Sequence, residues 1–195
     1  MEAMEKKKND SPNIVKLALV LFAVTAITAL VLGLVNNLTS SVIAGRNDAK
    51  TKEAYSNVLT ADSFTPIDAN SYASTNDGTI TKLSTANDGS GNVVGYVAET
   101  TFSGAQGMIT MVVGLDADKA CTGIYITGSS ETAGLGAKAS ETTPGSWRDN
   151  LVGAKDGVAL KKDGGTVEAI SGATITSRAC TKEVQTVITA VNSLG

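Results

Sequence analysis

A short stretch near the C-terminus gathers the residues best suited to chemistry: Ser171-Gly172-Ala173-Thr174-Ile175-Thr176-Ser177-Arg178. Hydroxyl side chains and a glycine stand directly before a periodic run. Cys180, Val184, Val187, Ile188 and Val191 follow at the one-face spacing of an amphipathic helix. Thr174 and Thr176 therefore fall at or just before a helix N-terminus. Free backbone N–H groups and the positive end of the helix dipole favour an anion there, most naturally a phosphate. Gly172 lets the backbone approach a ligand closely. The same residues also suit an ordinary Ser/Thr N-cap beside a glycine turn.

A second cluster, Ser129-Ser130-Glu131-Thr132-Ala133-Gly134-Leu135-Gly136, follows a strand-like run. Gly-Leu-Gly is too short for a dinucleotide fingerprint, and no Gly-Lys-Ser/Thr marks a P-loop. The cluster offers a flexible backbone with Glu131 and Thr132 as polar handles. It reads either as an ordinary loop or as one of two glycine-rich loops converging on a ligand.

Several chemistries are excluded early. The chain has no histidine, which removes His bases, His-dependent triads and the commonest zinc ligand. Its two cysteines, Cys121 and Cys180, lie far apart without CxxC spacing, so no metal site is expected. They could pair in an oxidising compartment, but buried free thiols are the preferred reading because Cys180 lies on the apolar helix face. A net charge of −3 gives no sign of nucleic-acid binding. Lys161, Lys162 and Arg178 could each counter a phosphate or simply be solvated, and Trp147 could shield a ligand or pack in the core.

These residues need a scaffold. Leu17 to Val35 contains no charged residue. Nineteen residues at the helical rise span roughly 28 Å, about the thickness of the hydrocarbon core of a bilayer. The run is longer than a signal-peptide apolar region, which favours a retained anchor over cleavage after Val42-Ile43-Ala44. Lys6, Lys7, Lys8 and Lys16 precede it, which places residues 1–16 in the cytoplasm and the rest outside. Residues 36–62 read as a helical stalk and residues 63–195 as the functional domain. Within that domain, 63–78 reads as polar and turn-rich, through Asn76-Asp77-Gly78. Strands are expected at Thr79–Leu83, Val93–Thr101, Met108–Leu115 and Cys121–Thr127, joined by short polar turns. A short helix near Pro144–Gly153, a further strand at Val158–Lys161 and the C-terminal helix complete an α+β domain with an antiparallel sheet.

The run from Gly165 to Arg178, with Glu168 followed by Ser171-Gly172-Ala173-Thr174, resembles the flavinylation motif of the extracytoplasmic FMN-binding domain family. That family includes the G subunit of the Rnf ferredoxin:NAD+ oxidoreductase complex and the C subunit of the sodium-pumping NADH:quinone oxidoreductase. Glu131-Thr132-Ala133-Gly134-Leu135-Gly136 resembles the family's second signature, which usually has proline where Ala133 stands. Motif order, spacing and the single N-terminal membrane helix all match, so the likeness covers essentially the whole chain. Its short length is closer to the Rnf member.

The resemblance implies FMN joined by a phosphoester to the Thr174 hydroxyl. A separate flavin transferase would attach it, with FAD as donor and magnesium as its metal. Gly172 and Ala173 would leave room for the transferase and nucleotide, and Ser171 would fix the turn. Glu131, Thr132, Gly134, Leu135 and Gly136 would contact the FMN. Glu168 stands where the family usually has Asp and keeps the charge. The implied role is a redox subunit passing electrons within a membrane complex in the cell (inner) membrane, among other membrane subunits and lipid, with no complete active site of its own. The flavin supplies the redox chemistry and the protein supplies position. Two other readings remain: a stand-alone anchored flavoprotein, and a non-redox anchored module of the pilin kind. The latter lacks the glutamate that a pilin places near the start of its apolar helix.

Overall fold

The computed structural model describes residues 14–72 and 78–194, with side chains left out at 37–50 and 52. Most of the basic tail and most of the Asn76-Asp77-Gly78 turn lie outside those residues. The chain falls into two compact units, Met1–Asp48 and Ala49–Gly195.

Helix α1 runs from Ile14 to Val58. Its Ile14–Asn36 portion is long and apolar enough to cross a membrane, and its side chains are exposed throughout. The two threonines in this portion do not interrupt it. Thr25 Oγ1 donates to the carbonyls of Leu21 and Phe22, and Thr28 Oγ1 to those of Val24 and Thr25. Each hydroxyl is thereby satisfied inside its own helix, the condition for a polar group facing hydrocarbon.

The second unit is built on an antiparallel meander in the order β1-β2-β3-β4-β5. Its strands are Ser63–Pro66, Ile80–Asn87, Val93–Ser103, Met108–Asp116 and Cys121–Ser129. Four of these occupy the expected runs and extend them by a few residues. The fifth, β1, lies where a polar loop is expected. Four residues with one aromatic are too short for a periodic signal. What makes them a strand is the exposed edge of β2, where Phe64 pairs with Ala86 and stacks edge-on against Tyr55 at 4.9 Å. Pro66 is tolerated because β1 is itself an edge strand.

The two sheet faces carry different cores. On one face lies α2, Thr174–Asn192. Its Cys180, Val184, Val187, Ile188 and Val191 are fully buried against Ala98, Phe102, Ile109, Met111, Val113 and Ile124. Burying a Val or Ile side chain contributes about 1.5–3 kcal/mol, so this stripe fixes the helix on the sheet. On the opposite face the last turns of α1 bury Ala54, Tyr55 and Val58 against Val97 and Val112. Gly95 and Gly114 make room for Leu59 and Val58 there, and Thr122 Oγ1 donates to the Val58 carbonyl.

Two local expectations change. The short helix is a 3-10 turn, Trp147–Leu151, with Leu151 fully buried. The strand expected at Val158–Lys161 is reduced to a single bridge, Leu160 to Val167. Gly164, at φ +89°, and Gly165 turn the chain back onto Ala159 before a ladder can form. The Val158 N–H is taken by the Gln185 side chain instead of by a neighbouring strand. Both cysteines are free and buried, and burial pushes each thiol up to about 12.

Candidate functional site

The site begins where α2 begins. The Ala173 N–H donates to the Ile170 carbonyl, closing a four-residue turn whose third member, Gly172, has φ +75°. Only glycine adopts that backbone without strain. Ser177 braces the turn from inside the helix. It accepts from the Ile170 N–H at 2.9 Å and donates to the Ala173 carbonyl at 2.9 Å. Ser171, expected to fix this turn, is its second residue and is exposed. The N-cap is Ala173, which brings no capping side chain. The Ser/Thr N-cap considered from sequence is therefore absent, and the first turn of the helix is left open to an outside acceptor.

Thr174 is the first residue of α2 and is half-buried. It lines a cleft of about 300 Å³ with Lys161, Lys162, Glu168, Ala169, Ile170, Ser171 and Gly172. That size is at the lower end of ligand clefts, about 300–1,000 Å³. The Lys161 ammonium pairs with the Glu168 carboxylate at 2.6 Å, both exposed. The Glu168 carbonyl accepts from Trp147 Nε1 at 2.6 Å. Trp147 thus packs at the core edge and anchors the extended approach to the turn. Arg178 forms a two-point pair with Asp163 at 2.6 and 2.9 Å, which ties α2 to the Lys161–Asp163 turn. The pair holds the Asp163 carboxyl below the usual carboxylate range.

The second glycine cluster lies beside the first. The Leu135 N–H donates to the Thr132 carbonyl, again closing a four-residue turn with its third residue, Gly134, at φ +77°. The Leu135 side chain reaches Gly172, where an added Cβ would stand 2.9 Å from Leu135 Cδ2. A smaller hollow between the clusters is lined by Ala105, Gln106, Glu131, Thr132, Leu135, Gly136, Gly172, Ala173 and Thr176. Thr132, Gly134 and Leu135 are exposed there, and Gly136 is buried.

Glu131 has a structural task that sequence reasoning misses. One carboxylate oxygen accepts from the N–H groups of Ala105 and Gln106 at 2.7 and 3.0 Å. The other accepts from the Thr176 hydroxyl at 2.7 Å. Partial burial pushes this carboxyl up. The bonds from Gln106, Thr176 and Ala105 outweigh that, so it titrates below its ordinary value. Thr176, fully buried, is also more than a motif letter. No local periodicity signals this link, because its partners are 25 to 45 positions apart.

Helix-start N–H groups and two lysines stand beside the Thr174 hydroxyl in its cleft.

Residues 104–189, which contain both glycine clusters, match the model of the FMN-binding domain. The chain is 36% identical over 176 residues to the G subunit of the ion-translocating oxidoreductase complex of Methanosarcina acetivorans, covering 88% of this chain and 90% of that one. It is 34% identical over 207 residues to the G subunit of the Na+-translocating ferredoxin:NAD+ oxidoreductase complex of Acetobacterium woodii, covering 94% of each. The proton-translocating counterpart of Clostridium ljungdahlii is 33% identical over 101 residues, or 51% of this chain and 55% of that one. Likeness along nearly the full length, with an FMN-binding domain at its C-terminal half, places the chain in the family of G subunits of ion-translocating oxidoreductase complexes.

Proposed function

We propose that the chain is the electron-transfer subunit of a membrane-bound, ion-translocating ferredoxin:NAD+ oxidoreductase of the Rnf type, with FMN esterified to Thr174. The observation that carries this is the placement of Thr174. It is the first residue of a helix without a side-chain cap, beside a positive-φ glycine, in a cleft with Lys161 and Lys162. An ester there sets a phosphate against helix-start N–H groups and nearby cations.

In this reading a flavin transferase modifies the chain. The Thr174 Oγ–phosphorus bond forms as the phosphoanhydride of FAD breaks. AMP leaves, and the hydroxyl proton passes to the transferase. The bound flavin supplies one- and two-electron chemistry. The protein's share is to hold the ester, keep Leu135 against Gly172 and present the site to neighbouring subunits. Residues 17–35 cross the membrane with the tail inside, so the FMN domain lies outside the cytoplasm, where a covalent link prevents loss of the cofactor.

The test is co-expression with a flavin transferase, followed by intact-mass measurement and in-gel fluorescence. The wild-type chain gains the mass of one FMN less one water and fluoresces after denaturation. Thr174→Ala does neither. A fluorescent Thr174→Ala band, or an unmodified wild-type mass, refutes the assignment. Co-purification with several membrane subunits supports the complex, and isolation alone supports a stand-alone flavoprotein.

A further inference from the structure

The carboxylate of Glu131 joins three segments distant in sequence. It receives two N–H groups from the turn between β3 and β4, at Ala105 and Gln106. It belongs to the loop leaving β5, and it receives the hydroxyl of Thr176 in the first turn of α2. Both of its oxygens are thus engaged by the protein. Gly104 and Gly136 flank it, and a Cβ at either would strike the carboxylate. At Gly136 that Cβ would also stand 2.8 Å from Thr176 Oγ1. Leu135, next in the chain, meets Gly172. The loop from Glu131 to Gly136 therefore grips the start of α2 at two points, on either side of Thr174.

We propose that Glu131 is a positioning residue that acts through Thr176 to hold the Thr174 hydroxyl in the orientation required for flavin attachment, and is not itself an FMN ligand. The proposal rests on the reading of Thr174 as the attachment site. Its logic is that a helix start without a cap side chain needs an external tether, and the Thr176–Glu131 bond supplies one. The geometry, more than the charge, is what the site uses. A glutamine can keep its carbonyl toward both N–H groups while its amide donates to Thr176 Oγ1.

The experiment measures transferase-dependent labelling of the purified full-length chain in detergent, with FAD and magnesium, as kcat and KM for the chain. Glu131→Ala and Thr176→Val each lower kcat at least tenfold, with KM changed less than threefold. The double variant is no slower than the worse single one, because both remove the same link. Glu131→Gln and Thr176→Ser stay within threefold of wild type. Folding is monitored through Trp147 fluorescence. If Glu131→Ala does not fold, Thr176→Val against Thr176→Ser decides. Labelling of Glu131→Ala or Thr176→Val at the wild-type rate overturns the proposal. So do losses that multiply in the double variant, or Glu131→Gln failing as badly as Glu131→Ala. A wild-type chain that takes no label overturns the Thr174 assignment itself, and the positioning role with it.

Discussion

Replacing Gly172 by alanine tests the turn that presents Thr174. Two costs arise, and they can be separated. Holding an alanine at φ +75° costs about 1–2 kcal/mol, the penalty of the left-handed region for a residue with a Cβ. The new methyl also stands 2.9 Å from Leu135 Cδ2. That atom is the tip of a flexible side chain that is 41% exposed, so it can swing away at about 0.5–1.5 kcal/mol. The sum is about 1.5–3.5 kcal/mol. For a unit of this size it lowers Tm by roughly 3–14 °C. The assay is unfolding of the full-length chain in detergent, followed by fluorescence of Trp147, the sole tryptophan. Adding Leu135→Ala to Gly172→Ala recovers only the contact part and leaves about 1–2 kcal/mol of backbone strain. Stability within about 0.5 kcal/mol of the parent would refute the strain argument, since that is the range of an ordinary surface substitution. Full recovery by Leu135→Ala would also refute it, because the cost would then lie in packing.

Ala133→Pro stabilises the chain by about 0.4–1 kcal/mol. It fills the second position of the Thr132–Leu135 turn, where proline's fixed φ is favoured, and a lower Tm would show that the backbone there is unsuitable. Ile188→Ala, in the fully buried stripe of α2, costs about 2–5 kcal/mol in denaturant unfolding, and a loss below about 1 kcal/mol would contradict its place in the core. The Glu131 carboxyl is lowered in the fold, so its contribution to stability is present above the unfolded carboxyl value of about 4.3 and disappears as pH falls through the lower folded value. Accordingly, wild type loses stability relative to Glu131→Gln only in that acid window, and a difference that grows toward neutral-to-alkaline pH would reverse the assigned sign. Cys121 and Cys180, with thiols pushed up to about 12, resist alkylation at about pH 8 in the folded chain, and both react once it is unfolded.

Much of the scaffold was legible because its signals are local. An uncharged run of membrane length, four strand-like runs with polar turns and a four-three-one-three apolar stripe each depend on near neighbours. The start of α2 at Thr174 followed from the same stripe. What local patterns did not carry is equally specific. β1 is a strand only because β2 offers an edge and Tyr55 offers Phe64 a ring. Val158–Lys161 has the composition of a strand, yet the Gly164-Gly165 return denies it a partner. Arg178 and Trp147 were open to several readings. Their partners, Asp163 and the Glu168 carbonyl, assign them to bracing the turn.

The sequence by itself determined the membrane-length helix, the α+β order and the two glycine clusters, because apolar period, charge and glycine placement act within a few residues. Only the tertiary structure decided that Leu135 meets Gly172 and that the Glu131 carboxylate spans Ala105, Gln106 and Thr176. Those contacts join positions tens of residues apart. They exist only because the meander and α2 bring the end of β5 and the start of the helix to the same corner of the sheet.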